Sequence, residues 1–117
     1  KKFNYKKRNI NFFMTNKNIK NIFENNHYIG IHSHSHSTDI SSKSYYYQLK
    51  DYSKNKKILE KLINSKIFLA SYPCGRYNSN SLKVMKKLKI NYAFIDTINK
   101  KKFHKHKIPR INSASFI

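Results

Sequence analysis

Four short apolar runs alternate with stretches of helical periodicity, and that order restricts the fold more than any single motif. The runs are Asn9–Thr15 (NINFFMT), His27–Ser33 (HYIGIHS), Lys66–Tyr72 (KIFLASY) and Asn91–Thr97 (NYAFIDT), each of strand length and bounded by polar residues. Between the first two, Ile19, Ile22 and Phe23 fall at i, i+3, i+4, one face of a short helix. Leu49, Tyr52, Leu59, Leu62 and Ile63 make an apolar stripe on a second helix, expected over residues 45–64. A third, opened by Asn78 or Ser79 as cap, places Leu82, Met85 and Leu88 together. A last short strand is expected near Ile108–Ile111. Such β-α-β-α-β-α-β alternation predicts an α/β fold of parallel strands joined by right-handed crossovers, with ligands at the carboxyl ends of the strands.

Two loops fall at such ends. The first, HSHSHS, holds half of the six histidines at alternate positions: His32, His34 and His36. A backbone that folds over after Ser33 brings His32 and His36 toward one ion, and imidazole suits zinc and similar divalent metals. On spacing alone, a solvated polar loop that chelates metal only opportunistically explains the run equally well. The second loop is Tyr72-Pro73-Cys74-Gly75, where proline and glycine two apart mark a turn.

Charge suggests a different reading. A net charge of +20 favours polyanions, yet only three of the 25 basic residues are arginines and the lysines are spread through every segment. Alongside abundant asparagine, isoleucine and tyrosine, this resembles the drift of an AT-rich genome more than a selected nucleic-acid face. Aromatics interleaved with lysines at FNYKKR and SYYYQLK keep a basic binding protein for nucleic acid or anionic glycan as the alternative function. The same pattern fits a core-facing tyrosine stripe on a lysine-rich helix. One cysteine excludes an internal disulfide, no apolar run is long enough to span a membrane, and no signal-peptide h-region is visible.

The two loops together resemble the polysaccharide deacetylases, the NodB-homology carbohydrate esterases. IGIHSHSH matches their His-Ser/Thr-x-x-His motif at Ile29, Gly30, His32, Ser33, Ser35 and His36. NINFFMT resembles the strand before that motif. SYPCGRYN is similar to their Tyr-Pro-Tyr-Gly loop, with Cys74 where a tyrosine is usual. INYAFID resembles the following strand, and IPRI the Pro-Arg segment of enzymes acting on poly-N-acetylglucosamine.

The resemblance implies part of a distorted (β/α) barrel, with residues 1–117 forming a single partial domain. It implies a metal-dependent hydrolase removing N-acetyl groups from an amino-sugar polysaccharide, with zinc as the expected divalent metal. His32 and His36 become metal ligands, His34 a bystander, and Ser33 a hydrogen-bonding support for the loop. The backbone N–H of Cys74 becomes the oxyanion donor, and Tyr72, Pro73, Gly75 and Tyr77 line the substrate. Family members that act on envelope polymers work outside the cytoplasm.

Two features of the family have no match. Its first motif is an Asp-Asp pair, one general base and one ligand, but the carboxylates here are Glu24, Asp39, Asp51, Glu60 and Asp96, none before Phe12. Its late catalytic histidine is also unmatched: His104 and His106 sit in a lysine-rich stretch and are expected to be solvated. Asp39 is a candidate substitute ligand. Asp96 is expected to be a helix cap or a solvated carboxylate at a strand end.

Overall fold

The computed structural model describes residues 13–96 and 104–111. Most of the expected first strand, Asn9–Thr15, lies outside them, and Phe13–Thr15 are irregular. Each helix opens on a side chain suited to its free amides. Thr15 caps α1 (Asn16–Glu24) in a reciprocal box: its hydroxyl accepts from the Asn18 N–H at 3.2 Å, and Asn18 Oδ1 accepts from the Thr15 N–H at 2.8 Å. Ser44 caps α2 (Tyr45–Ile63), which ends on Asn64 in the left-handed region at φ 50°. Of the two expected caps for α3 (Ser79–Lys87), Asn78 takes the role, accepting from the Ser81 N–H at 2.9 Å.

Three strands, β1 (Leu69–Ser71), β2 (Tyr92–Ile95) and β3 (Ile108–Pro109), form a parallel sheet in that order. Ala70 pairs with Ala93 and Phe94 with Ile108, while Ile31 adds a parallel bridge to Ala70 on the other side of β1. The strands are shorter than the apolar runs predict because side chains capture flanking backbone groups. His32 Nδ1 takes Ser71 O at 2.8 Å, the carbonyl that the next ladder bond beyond Ile31 would use. Glu60 Oε1 takes the Ile67 N–H at 2.9 Å, which holds Ile67 out of the ladder.

Alternation along the strands separates two faces. Ile31, Ala70, Ala93 and Ile95 join Ile40, Tyr52, Val84, Met85 and Ile90 in the buried core, where α2 and α3 pack together. Of the stripe predicted for α2, Tyr52 and Ile63 are buried, and Leu49, Leu59 and Leu62 pack against them. On α3 the buried face is Ser81, Val84 and Met85, with Leu88 beside it and Leu82 only half-buried. Gln48 and Ser81 satisfy each other inside this core, the serine donating at 2.6 Å. Gly30, His32, Leu69, Ser71 and Phe94 line a shallow hollow of about 270 Å³.

Candidate active site

The bridge at Ile31 places the histidine loop beside the end of β1, where the Pro73–Gly75 turn follows. Both loops therefore lie at neighbouring carboxyl ends of parallel strands. His32 Nδ1 is 2.8 Å from Ser71 O. A carbonyl oxygen only accepts, so Nδ1 carries the hydrogen and the neutral ring presents the Nε2 lone pair. That backbone contact is the type that orients histidine ligands in metal sites. The His36 ring stands 5.0 Å from that of His32, centroid to centroid, at 61°.

This approach requires a tight turn. Ser33 and His36 both occupy the left-handed region, at φ 67° and 49°, which non-glycine residues adopt at a cost of about 1–2 kcal/mol each. Ser33 Oγ accepts from the His36 N–H at 3.0 Å. Asp51, on α2, accepts from two further amides: His34 N–H at Oδ2 (2.9 Å) and Ser35 N–H at Oδ1 (3.1 Å). Its carboxyl is buried. Burial alone would raise its pKa, but hydrogen bonds from Ser33, His34 and Ser35 outweigh that and hold it below the usual carboxylate range. In the sequence Asp51 is one of five carboxylates. Nothing there marks it as a loop support, because it lies 17 residues from His34 and shares no motif with it.

The Pro73–Gly75 turn is equally constrained. Cys74 has φ 51° and Gly75 φ 65°. A Cβ on Gly75 would lie 2.8 Å from both Cβ and N of Asp96, so glycine is required by both conformation and space. Thus Asp96, the residue after β2, lies directly against the turn. Gly75 N–H donates to Tyr72 O and Arg76 N–H to Pro73 O, each at 3.0 Å. Neither bond uses the Cys74 N–H, and Cys74 is exposed.

Tyr72 is wholly buried, so in this packing it offers no face to a sugar ring. Its hydroxyl donates to His106 O at 3.1 Å, and its ring stacks on Tyr77 at 5.3 Å. Pro73 is also buried, whereas Gly75 and Tyr77 are half-buried, with Lys107 Nζ 5.7 Å from the Tyr77 ring centre.

His106 corrects an expectation. Sequence context made it solvated, but it is 5% exposed, with Nε2 2.7 Å from Ile90 O. Burial pulls its pKa down, the bond to Ile90 opposes this, and Lys105 and His104 add to the fall. The physical reason is the turn before β3, which folds the ring inward while its neighbours stay in water. His104 is exposed as expected, its Nδ1 accepting from the His106 N–H at 3.1 Å.

His32 and His36 suit two positions of a nitrogen-preferring divalent ion. Among the described residues, no group of three His, Cys, Asp or Glu side chains converges to complete such a site. Both Asp51 oxygens are committed to backbone amides. Asp39, the candidate substitute, lies 3.8 Å from Arg76 in an exposed pair.

The polysaccharide deacetylase family profile matches residues 3–93. The chain belongs to that family. Three solved structures share its fold. The Streptococcus pyogenes deacetylase PplD, in complex with acetate, superposes with TM-score 0.76 at 23% identity, over 84% of this chain and 44% of that one. The BpsB deacetylase domain from Bordetella bronchiseptica has TM-score 0.72 at 13% identity, with 86% and 49% covered. IcaB from Ammonifex degensii has TM-score 0.71 at 14% identity, with 87% and 49% covered. No curated protein sequence matches. The chain thus forms part of a (β/α)-barrel deacetylase fold and spans less than half the length of these structures.

Proposed function

We propose that this chain contributes the metal-ligand loop and the oxyanion turn of a hydrolase that removes N-acetyl groups from an amino-sugar polysaccharide. The observation that carries the reading is His32, whose Nδ1–H is held by Ser71 O so that Nε2 is available beside the His36 ring. His32 and His36 are the ligands we assign, with zinc the expected ion. When bound, such an ion supplies a Lewis acid and a water of lowered pKa.

The chain's own part is positional. The Cys74 N–H, left out of the turn's internal bonds, donates to the oxygen that gains charge as the acetyl carbonyl is attacked. The side chain of Cys74 is not required for that role, which explains how cysteine can replace the family's tyrosine. Gly75 allows the turn to close against Asp96, and Tyr77 is the aromatic residue of the turn with surface to offer a sugar.

The test pairs calorimetric zinc titration with an acetate-release assay on acetylated glucosamine oligomers, for wild type and His36→Ala. Weak zinc binding that His36→Ala abolishes is expected, with little acetate release from these 117 residues, which hold no Asp-Asp pair. Identical titrations of the two proteins would refute the histidine site. Robust turnover by these 117 residues would refute the need for the carboxylate pair.

A further inference from the structure

We propose that Asp51 and Asn55 of α2 are positioning residues that hold the Ser33–His36 turn in the shape allowing both histidines to reach one ion. This rests on the assignment of His32 and His36 as ligands. The two side chains are four residues apart and so project from one face of α2. Together they accept from three amides of the histidine loop: Asn55 from His32, and Asp51 from His34 and Ser35. Ser33 also hydrogen-bonds Asp51 through its side chain, and it takes the His36 N–H, so the fourth amide is tied to the same carboxylate at one remove.

A turn with two non-glycine residues in the left-handed region persists only where its surroundings over-determine it. These acceptors are that surrounding. A role confined to helix packing would not need a buried carboxylate, because an apolar side chain of similar size packs without the cost of burying charge. Nor is the carboxylate free to act as a ligand, since backbone amides occupy both oxygens.

The consequence is asymmetric. His32 has an independent anchor in Ser71 O, whereas His36 reaches its place only through the turn. Loss of the α2 acceptors should therefore release His36 while leaving His32 oriented, reducing a two-histidine site to one.

The experiment titrates the full chain with Co²⁺, following the visible ligand-field spectrum, and records metal-free thermal unfolding in parallel. Asp51→Asn turns one acceptor oxygen into a donor facing an amide, and is expected to weaken Co²⁺ binding about 10- to 100-fold, the usual effect of losing an outer-shell partner. Asp51→Glu restores both oxygens and should recover part of the loss. Asn55→Ala removes only the acceptor for the His32 N–H and carries the test where Asp51→Asn does not fold. Unchanged Co²⁺ affinity and spectrum in Asp51→Asn and Asn55→Ala, with binding lost in His36→Ala, would refute the positioning role alone. Equal titration of wild type and His36→Ala would refute the ligand assignment, and the positioning role with it. A lowered melting temperature with unchanged Co²⁺ binding would reduce Asp51 to a fold-stabilising residue and also overturn the proposal.

Discussion

Two buried tyrosines should respond in opposite directions to the same one-atom deletion. Tyr52 and Tyr72 are both 0% exposed. Burial raises both phenol pKa values well above the ordinary range, with Asp51's charge adding to the rise at Tyr52 and the neighbouring tyrosines adding at Tyr72. They differ in what the hydroxyl meets. Tyr72 donates to His106 O at 3.1 Å, whereas the Tyr52 hydroxyl has no hydrogen-bond partner among the described residues. Tyr72→Phe removes a net-favourable bond and strands a buried carbonyl, a loss of about 1–2 kcal/mol. Tyr52→Phe removes a hydroxyl whose unpartnered burial costs about 1–3 kcal/mol, so a gain of about 1 kcal/mol is expected after some loss of packing. At roughly 4 °C per kcal/mol for a domain of this size, the variants should melt about 8–12 °C apart on either side of wild type. Scanning calorimetry at neutral pH measures this directly, with urea midpoints as a check on two-state behaviour. Equal destabilisation by both substitutions would refute the reasoning, because it would mean that the Tyr52 hydroxyl is satisfied in solution.

The remaining predictions address the turn, the buried histidine and a cap. Gly75→Ala should cost at least about 2 kcal/mol, from the left-handed backbone and the 2.8 Å approach to Asp96, read as a lowered urea midpoint. His106 has a native pKa below its ordinary value of 6.5, so the unfolded chain binds the extra proton. Its contribution is therefore full above pH 6.5 and lost as pH falls through the native value. Its imidazole resonances should titrate below the ordinary value of 6.5, and His106→Asn should flatten the stability profile in that window. Asn78→Ala removes the acceptor for the Ser81 N–H and the donor to Ser41 O, and should destabilise by about 1–2 kcal/mol in thermal unfolding.

Much of this protein is determined locally and was therefore legible in the sequence. Helix positions follow from apolar spacing and, for α3, from a cap three residues from its target, at Asn78. The turn at Pro73–Gly75 follows from backbone preferences of the residues in it. The four-residue separation of His32 and His36 permits their approach without fixing it, whereas the parallel α/β order follows from the alternation of periods.

Tertiary structure decided what depends on distant partners. The apolar runs predicted strands of about seven residues, but the ladder stops where the His32 ring takes the Ser71 carbonyl and Glu60 takes the Ile67 amide, captures that the runs could not reveal. His106 has a polar, basic sequence neighbourhood, yet its ring is buried because Ile90, 16 residues away, offers it a carbonyl. Tyr72 lies in a polar turn motif, yet its ring is buried against the core and its hydroxyl meets the distant His106 carbonyl. Asp51 and Asn55 acquire a role only once α2 lies against the histidine loop, across separations of 16 to 23 residues. Local propensity is encoded in neighbouring residues, whereas the satisfaction of buried polar groups is settled only by packing.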